Sequence, residues 1–188
     1  MIILFGAAGS GKSLQGQTLA DKYGWRWMSV GELLRERNDS EMNEIMARGE
    51  LVPDEYVVKM MHDEMTKEIE AGRFAILDGY PRDEWQAKWI VDNGDNQYID
   101  GAIVVDVDHE ELWRRLEERG RADDTRDAIE KRWKIFDQSI YTMTSVLEGK
   151  GVKVIHVDGV GTIEEVTERL EKVLHDWGII DVQEGREK

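Results

Sequence analysis

The chain has 188 residues, a net charge of −15 and no cysteine. Its length suits a single domain spanning residues 1–188, the lack of cysteine excludes disulfides and thiolate metal sites, and the negative charge argues against nucleic-acid binding, which needs a basic surface. With no run of about 18 apolar residues to span a bilayer, we expect a cytoplasmic protein without membrane or nucleic-acid partners.

Strands and helices are predicted to alternate along the chain. Apolar runs predict five strands, at Ile2–Phe5, Trp25–Met28, Phe74–Leu77, Ala102–Val107 and Val152–Val157. Helical segments are predicted at Lys12–Tyr23, Glu32–Arg37, Ser40–Arg48 and from Pro53 to Ala71, and a last helix carries Val166, Leu170, Val173, Leu174 and Trp177 at helical spacing. Such alternation is typical of an α/β fold with a parallel sheet covered on both faces. Residues 178–188 are expected to form a loose tail.

A glycine-rich stretch, GAAGSGKS, follows the first strand and opens the first helix. It fits the pattern G-x-x-x-x-G-K-[ST], with the matching residues Gly6, Gly11, Lys12 and Ser13. In this pattern the loop N–H groups and the helix N-terminus hold the phosphates of ATP, the lysine reaches the β and γ phosphates, and the hydroxyl faces Mg²⁺. A glycine-rich turn with a surface lysine is the alternative, which the flanking strand and helix disfavour.

Four further segments carry a resemblance to a known family. They are SVGELLRER at Ser29–Arg37, ARGELVPDE at Ala47–Glu55, LDGYPRDEWQA at Leu77–Ala87 and RLEERGRADDTRDAIEKRW at Arg115–Trp133. With the phosphate loop, they resemble the adenylate kinase family of nucleoside monophosphate kinases. The resemblance implies a P-loop NTPase-type three-layer fold with a five-stranded parallel sheet, an NMP-binding segment at 29–52 and a short lid at 119–125. It also implies a monomer that transfers the γ-phosphoryl group of ATP to AMP.

The same resemblance assigns roles to individual residues. ATP contacts are expected at Gly9, Ser10, Gly11, Lys12, Ser13, Leu14, Arg115, Arg119 and Gly161. AMP contacts are expected at Val30, Arg35, Leu51, Val52, Gly79, Arg82, Gln86, Arg121 and Arg132. The expected catalytic set is Lys12, Arg82, Arg119, Arg121 and Arg132. Cations suit this reaction because negative charge spreads over the transferred oxygens, and guanidinium groups bind phosphate bidentately.

Magnesium is the expected cofactor. Asp78 ends the third strand, where its carboxylate can organise Mg²⁺ through water together with Ser13, although an Asp-Gly turn is the simpler alternative. The resemblance assigns Asp123 and Asp124 to lid closure. No structural zinc is expected, because the short lid has no Cys or His and the four histidines lack ligand spacing.

Two departures from the family pattern leave alternatives open. Ala8 stands where the family usually has proline, which should loosen the phosphate loop slightly. Val30 stands where the family usually has threonine, which removes a hydroxyl beside the acceptor base. A kinase for UMP, CMP or another small acceptor therefore remains an alternative, as does a nucleotide-binding module that has lost catalysis. The arginine set favours an active kinase, because a pure binding module needs no clamp on an acceptor phosphate.

Overall fold

The structure, a computed structural model, describes residues 1–37, 40–48, 50, 52–120 and 125–181. Its centre is a sheet of five parallel strands: β1 (Ile2–Phe5), β2 (Arg26–Ser29), β3 (Ala75–Asp78), β4 (Gly101–Asp106) and β5 (Lys153–Asp158). Their spatial order is β2-β3-β1-β4-β5, so the first strand lies in the middle. The predicted α/β fold with a five-stranded parallel sheet is confirmed.

Eight α-helices lie in the described part of the chain. They are α1 (Lys12–Tyr23), α2 (Val30–Glu36), α3 (Ser40–Ala47), α4 (Asp54–Glu70), α5 (Glu84–Asp92), α6 (His109–Arg119), α7 (Arg126–Glu148) and α8 (Ile163–Asp176). Side chains cap four of their N-termini by accepting a backbone N–H three residues further on: Asp83, Asp108, Thr125 and Thr162. These caps satisfy N–H groups that have no partner inside the helix.

Side chains of β1 alternate between two hydrophobic clusters, one on each face of the sheet. Ile3 and Phe5 pack with apolar residues of α4, α5 and α7, whereas Ile2 and Leu4 pack with residues of α1 and α8. This alternation is the period of two that a strand imposes. Burial on both faces explains why the three central strands, β1, β3 and β4, are nearly continuous apolar runs in the sequence, and it gives the three-layer architecture.

The central position of β1 determines where a ligand can bind. The chain forms β2 and β3 on one side of β1 and β4 and β5 on the other. In open parallel sheets the loops diverge at such a point and leave a crevice at the carboxyl ends of the strands. The glycine-rich loop after β1 and Asp78 at the end of β3 both lie at this edge.

Predicted and observed boundaries differ by at most two residues, and those of β1 and α1 coincide. The second strand extends to Ser29 because it pairs with Asp78 of β3, and α2 begins directly afterwards at Val30. At the other end of the chain, Ile179 and Ile180 pack against the α1–α8 cluster. The rest of the expected loose tail, residues 182–188, lies outside the described residues. No helix of the described part is long and apolar enough to cross a membrane.

Candidate active site

The loop between β1 and α1 presents the start of a helix at the crevice. Gly11 precedes α1 in a left-handed conformation (φ 87°) and has no side chain with which to cap the helix. The first N–H groups of a helix lack partners within it and, together with the helix dipole, attract anions. A turn closed by the Ser10 N–H on the Ala7 carbonyl, at 3.0 Å, shapes the loop. This backbone arrangement suits a bound phosphate.

Gly9 lets this loop lie directly on α6. Its φ is +95°, and a Cβ atom there would lie 2.8 Å from the Leu112 carbonyl oxygen and 3.0 Å from the Leu116 side chain. Any other residue would be strained and would push the loop away from the helix. Glycine at this position therefore allows the loop backbone to pack closely against α6.

Four basic side chains from separate parts of the chain line one cleft with the loop. They are Lys12 on α1, Arg35 on α2, Arg82 after β3 and Arg132 on α7, and we call them the cation cluster. Burial lowers the pKa of the Arg82 guanidinium, and the charges of Arg132 and Arg35 lower it further, whereas Asp78 raises it. Like charges held this close favour a bound anion, because an anion relieves their repulsion.

Asp78 lies beside the cation cluster with its carboxylate buried. Both its oxygens have no hydrogen-bond partner among the described residues, and Lys12 Nζ lies 3.9 Å from Oδ1, too far for a hydrogen bond. Buried carboxylate oxygens need a cation or water. Oxygen donors suit Mg²⁺, and the Ser13 hydroxyl belongs to a residue lining the same cleft, so the residues present fit this ion.

The protein alone provides few ligands for a metal. In residues 1–37, 40–48, 50, 52–120 and 125–181, no three His, Asp or Glu side chains are grouped so as to hold an ion. Mg²⁺ commonly uses one or two protein groups and completes its shell with water and phosphate oxygens. A Mg²⁺ ion at Asp78 and Ser13 would therefore take most of its ligands from water or from a bound phosphate.

A second cleft, which Lys12 also lines, gathers the residues expected to contact ATP. It is lined by Gly9, Ser10, Gly11, Ser13, Leu14, Arg115 and Gly161, among others. The Arg115 guanidinium donates to the carbonyls of Ser10 (3.2 Å) and Gly159 (3.0 Å) and is held by Glu111 (2.6 Å). Nearby, Leu14 and Ile163 are almost half exposed, which gives this cleft an apolar surface against which a base can pack.

The residues expected beside the acceptor base are more deeply buried than a contact role suggests. Val30, Val52 and Gln86 are 0%, 2% and 1% exposed, and none of the three borders the cleft of the cation cluster. The Gln86 Oε1 accepts from the Arg82 N–H at 2.9 Å, and its Nε2 donates to Asp54 Oδ1 at 2.7 Å. One N–H and one lone pair of the amide remain for a ligand, so base recognition by Gln86 stays a prediction.

Part of the expected site falls outside the described residues. This applies to Leu51, Arg121, Asp123 and Asp124, and hence to most of the expected lid at 119–125. The backbone of Arg119 ends α6, but nothing is described of its side chain. Of the expected catalytic set, the structure brings Lys12, Arg82 and Arg132 together at one cleft.

Sequence reasoning missed two side chains that hold the loops of the site. The Trp133 indole Nε1 donates to the Ala8 carbonyl of the phosphate loop at 2.8 Å. Arg169 Nη1 donates to the carbonyls of Asp158 (2.8 Å) and Val160 (2.6 Å), in the loop that borders the ATP-side cleft. The position of Trp133, directly after the expected site residue Arg132, is the one sequence feature that could have indicated its role. Arg169 carried no signal, since an arginine on a polar helix face is ordinary.

Comparison with known proteins identifies relatives of the chain. A family model described as "Adenylate kinase" matches residues 4–152. Adenylate kinases of Flavobacterium johnsoniae and Parvibaculum lavamentivorans are each 35% identical over 188 residues, covering 92% of this chain and 97% and 91% of those proteins. The adenylate kinase of Kocuria rhizophila is 32% identical over 181 residues, covering 90% of this chain and 95% of that protein. The chain therefore belongs to the adenylate kinase family of nucleoside monophosphate kinases.

Proposed function

We propose that the chain reversibly transfers the γ-phosphoryl group of ATP to AMP, giving two molecules of ADP. One observation carries most of the weight: the four side chains of the cation cluster face a single cleft at the uncapped start of α1. The reaction brings two anions together and spreads negative charge over the transferred oxygens, so catalysis is mainly positioning and cation clamping. A cleft with cations from four parts of the chain meets both needs.

The proposed roles follow from position. The start of α1 and Lys12 hold the β and γ phosphates of ATP, while Leu14 and Arg115 lie on the side of its base. Arg35 and Arg82 hold the phosphate of AMP, and Arg132 reaches from α7 to the phosphoryl group between the two nucleotides. Arginine suits the acceptor side because its planar fork orients a phosphate as well as attracting it.

Mg²⁺ is the cofactor on this proposal, and the Asp78 carboxylate, acting through water, and the Ser13 hydroxyl would hold it. When bound with ATP, the ion neutralises part of the phosphate charge. The two buried carboxylate oxygens of Asp78, which have no hydrogen-bond partner among the described residues, support this role. We propose no structural zinc.

One polypeptide supplies both the ATP side and the AMP side of the site, so we propose that a monomer suffices. A chain without cysteine suits a reducing compartment, and we propose the cytoplasm, with nucleotides as the partners. Light scattering coupled to size exclusion tests the oligomeric state.

The decisive experiment measures ADP production by the purified protein with ATP, Mg²⁺ and a panel of monophosphates. Turnover with AMP above the rest supports the proposal. Highest kcat/KM with UMP or CMP would assign the chain to a kinase of another acceptor. ATP binding without turnover on any acceptor would indicate a nucleotide-binding module.

We predict AMP as the preferred acceptor, with a margin that depends on Val30 and Gln86. Val30→Thr should widen the ratio of kcat/KM for AMP over UMP by up to about tenfold, since one neutral hydrogen bond contributes roughly 0.5–1.5 kcal/mol. Gln86→Ala should reduce the same ratio to near one, because a side-chain amide can pair with the adenine edge. Both ratios are measured on one preparation, so loss of folded enzyme cancels. An unchanged ratio in Gln86→Ala would remove Gln86 from base recognition.

We also predict that two segments close over the substrates. A dinucleotide that joins both substrates in one molecule should slow amide hydrogen exchange in residues 29–52 and in residues 119–125, because closure excludes water that would otherwise accept the phosphoryl group. Exchange with and without the ligand, followed by mass spectrometry, checks this. Amides of the exposed turn at residues 149–151 serve as the control, because they open locally and precede β5, at the end of the sheet opposite the cleft, so their exchange should not change. Unchanged exchange in both segments at saturation would contradict closure.

A further inference from the structure

The side chain of Trp133 connects helix α7 to the phosphate loop. Trp133 is 9% exposed, and its indole N–H donates to the main-chain carbonyl of Ala8 at 2.8 Å. The ring stacks on His109, with centroids 4.7 Å apart and planes 12° from parallel, and meets the edge of Trp113. A small hydrophobic cluster surrounds it beneath the loop, formed by Ala7, Leu112, Leu116 and Ile129. The donor is therefore held rigidly toward the loop.

This hydrogen bond fixes the direction of one peptide unit. The C=O and N–H groups of a planar trans peptide point in opposite directions. Because the Ala8 carbonyl is held toward Trp133, the N–H of Gly9 is turned to the opposite side of the loop. Ala8 and Gly9 both border the cleft of the cation cluster, and loop N–H groups are what this motif uses to hold phosphate.

Close packing against α6 also holds Gly9 in place. The space for a Cβ atom at Gly9 is taken by the Leu112 carbonyl and the Leu116 side chain. The Ala8–Gly9 peptide is thus held between two helices, by close packing on α6 and by a directed hydrogen bond from α7. The packing determines where the peptide lies, and the hydrogen bond determines how it is rotated.

We propose that Trp133 is a positioning residue for the donor phosphates: its indole N–H holds the Ala8 carbonyl and so presets the Gly9 N–H for ATP. The inference rests on the proposed function insofar as the loop binds ATP. Arg132, the preceding residue of α7, lines the cleft itself. Neighbouring residues of a helix point about 100° apart. One turn of α7 can therefore direct Arg132 into the cleft and Trp133 toward the phosphate loop.

Trp133→Phe tests the proposal because it keeps an aromatic ring and removes the N–H. Trp113→Phe is the matched control: it removes an indole donor from the same cluster, but one that bonds to Glu117 within α6 at 2.7 Å. Trp133→Leu is a second donor-free variant and guards against an effect peculiar to phenylalanine. For each protein we would measure the Kd of ATP·Mg, the KM of both nucleotides, kcat and Tm.

We expect both Trp133 variants to weaken ATP binding and raise the KM of ATP by about fivefold, the effect of one neutral hydrogen bond. In both Trp133 variants the KM of AMP should stay within about twofold of the wild-type value, a smaller change than the loss of one hydrogen bond would cause. Trp113→Phe should have the wild-type Kd and KM for ATP. An unchanged Kd of ATP in the Trp133 variants would overturn the proposal. So would an equal rise in both KM values with a lower Tm, which would mark a purely structural role. Failure of the wild-type protein to bind ATP would instead defeat the proposed function and this inference with it.

Discussion

Lys12→Met is expected to lower kcat by about two to three orders of magnitude, the scale seen when a group that stabilises transition-state charge is removed. Lys12 lines both clefts, and its Nζ lies 3.9 Å from Asp78 Oδ1. On the proposed function, its charge therefore lies where the phosphoryl group would be transferred. Methionine keeps an unbranched side chain of similar length and removes the ammonium group, with its charge and its three N–H donors. ATP binding should largely persist, since the start of α1 remains. A coupled ADP assay and calorimetric titration with ATP measure the two effects.

Lys59→Met is the matched control for this experiment. Lys59 lies exposed on α4 and lines neither cleft, so the same substitution there should leave kcat at the wild-type value. A near wild-type kcat in Lys12→Met would refute the role given to this lysine. The Tm of Lys12→Met must equal that of the wild-type protein, so that a lower kcat than in Lys59→Met cannot be due to unfolding.

The second large effect is expected at Arg82. Arg82→Met should lower kcat/KM for AMP by about two to four orders of magnitude, because on the proposed role it removes two hydrogen bonds from a charged donor to the AMP phosphate, each contributing roughly 1.5–3 kcal/mol. The KM of ATP should change far less, since Arg82 lines only the cleft of the cation cluster. Steady-state kinetics with each nucleotide varied in turn separate the two.

Two further variants sharpen the Arg82 experiment. Arg82→Lys keeps the charge but loses the planar fork, so its kcat/KM for AMP should fall between wild type and Arg82→Met. Arg26→Met removes an exposed arginine at the start of β2 and should behave as wild type. If Arg82→Met reduced the use of both nucleotides equally, its assignment to the acceptor side would be wrong.

The fold and the phosphate loop could be predicted from sequence because they depend on local pattern. Apolar runs of four to six residues become strands wherever both faces are covered, and the spacing of Gly11, Lys12 and Ser13 is itself the signature of the loop. The register of the arginines with a known family was enough to predict that Arg82 and Arg132 share a cleft. None of these inferences required knowledge of side-chain packing.

The parts that could not be predicted depend on contacts between distant parts of the chain. The resemblance predicts an AMP contact at Gln86, but it does not predict that this side chain is buried and donates a hydrogen bond to Asp54, 32 positions away. The bond from Trp133 to Ala8 joins residues 125 positions apart. We expected alanine at position 8 to loosen the loop. The structure adds a directed hydrogen bond at that residue, which no local pattern encodes.

The cation cluster also has a consequence for the folding free energy of the protein. Arg35, Arg82 and Arg132 are far apart in an unfolded chain, so their mutual repulsion arises only when the protein folds. Charge gathered for catalysis in this way opposes folding and is one source of the common conflict between activity and stability. A bound polyanion reverses the effect, and a ligand at 100 times its Kd adds about 2.7 kcal/mol to the free energy of unfolding. Saturating nucleotide should therefore raise the Tm of this enzyme, so a smaller nucleotide pool would lower its heat resistance together with its activity.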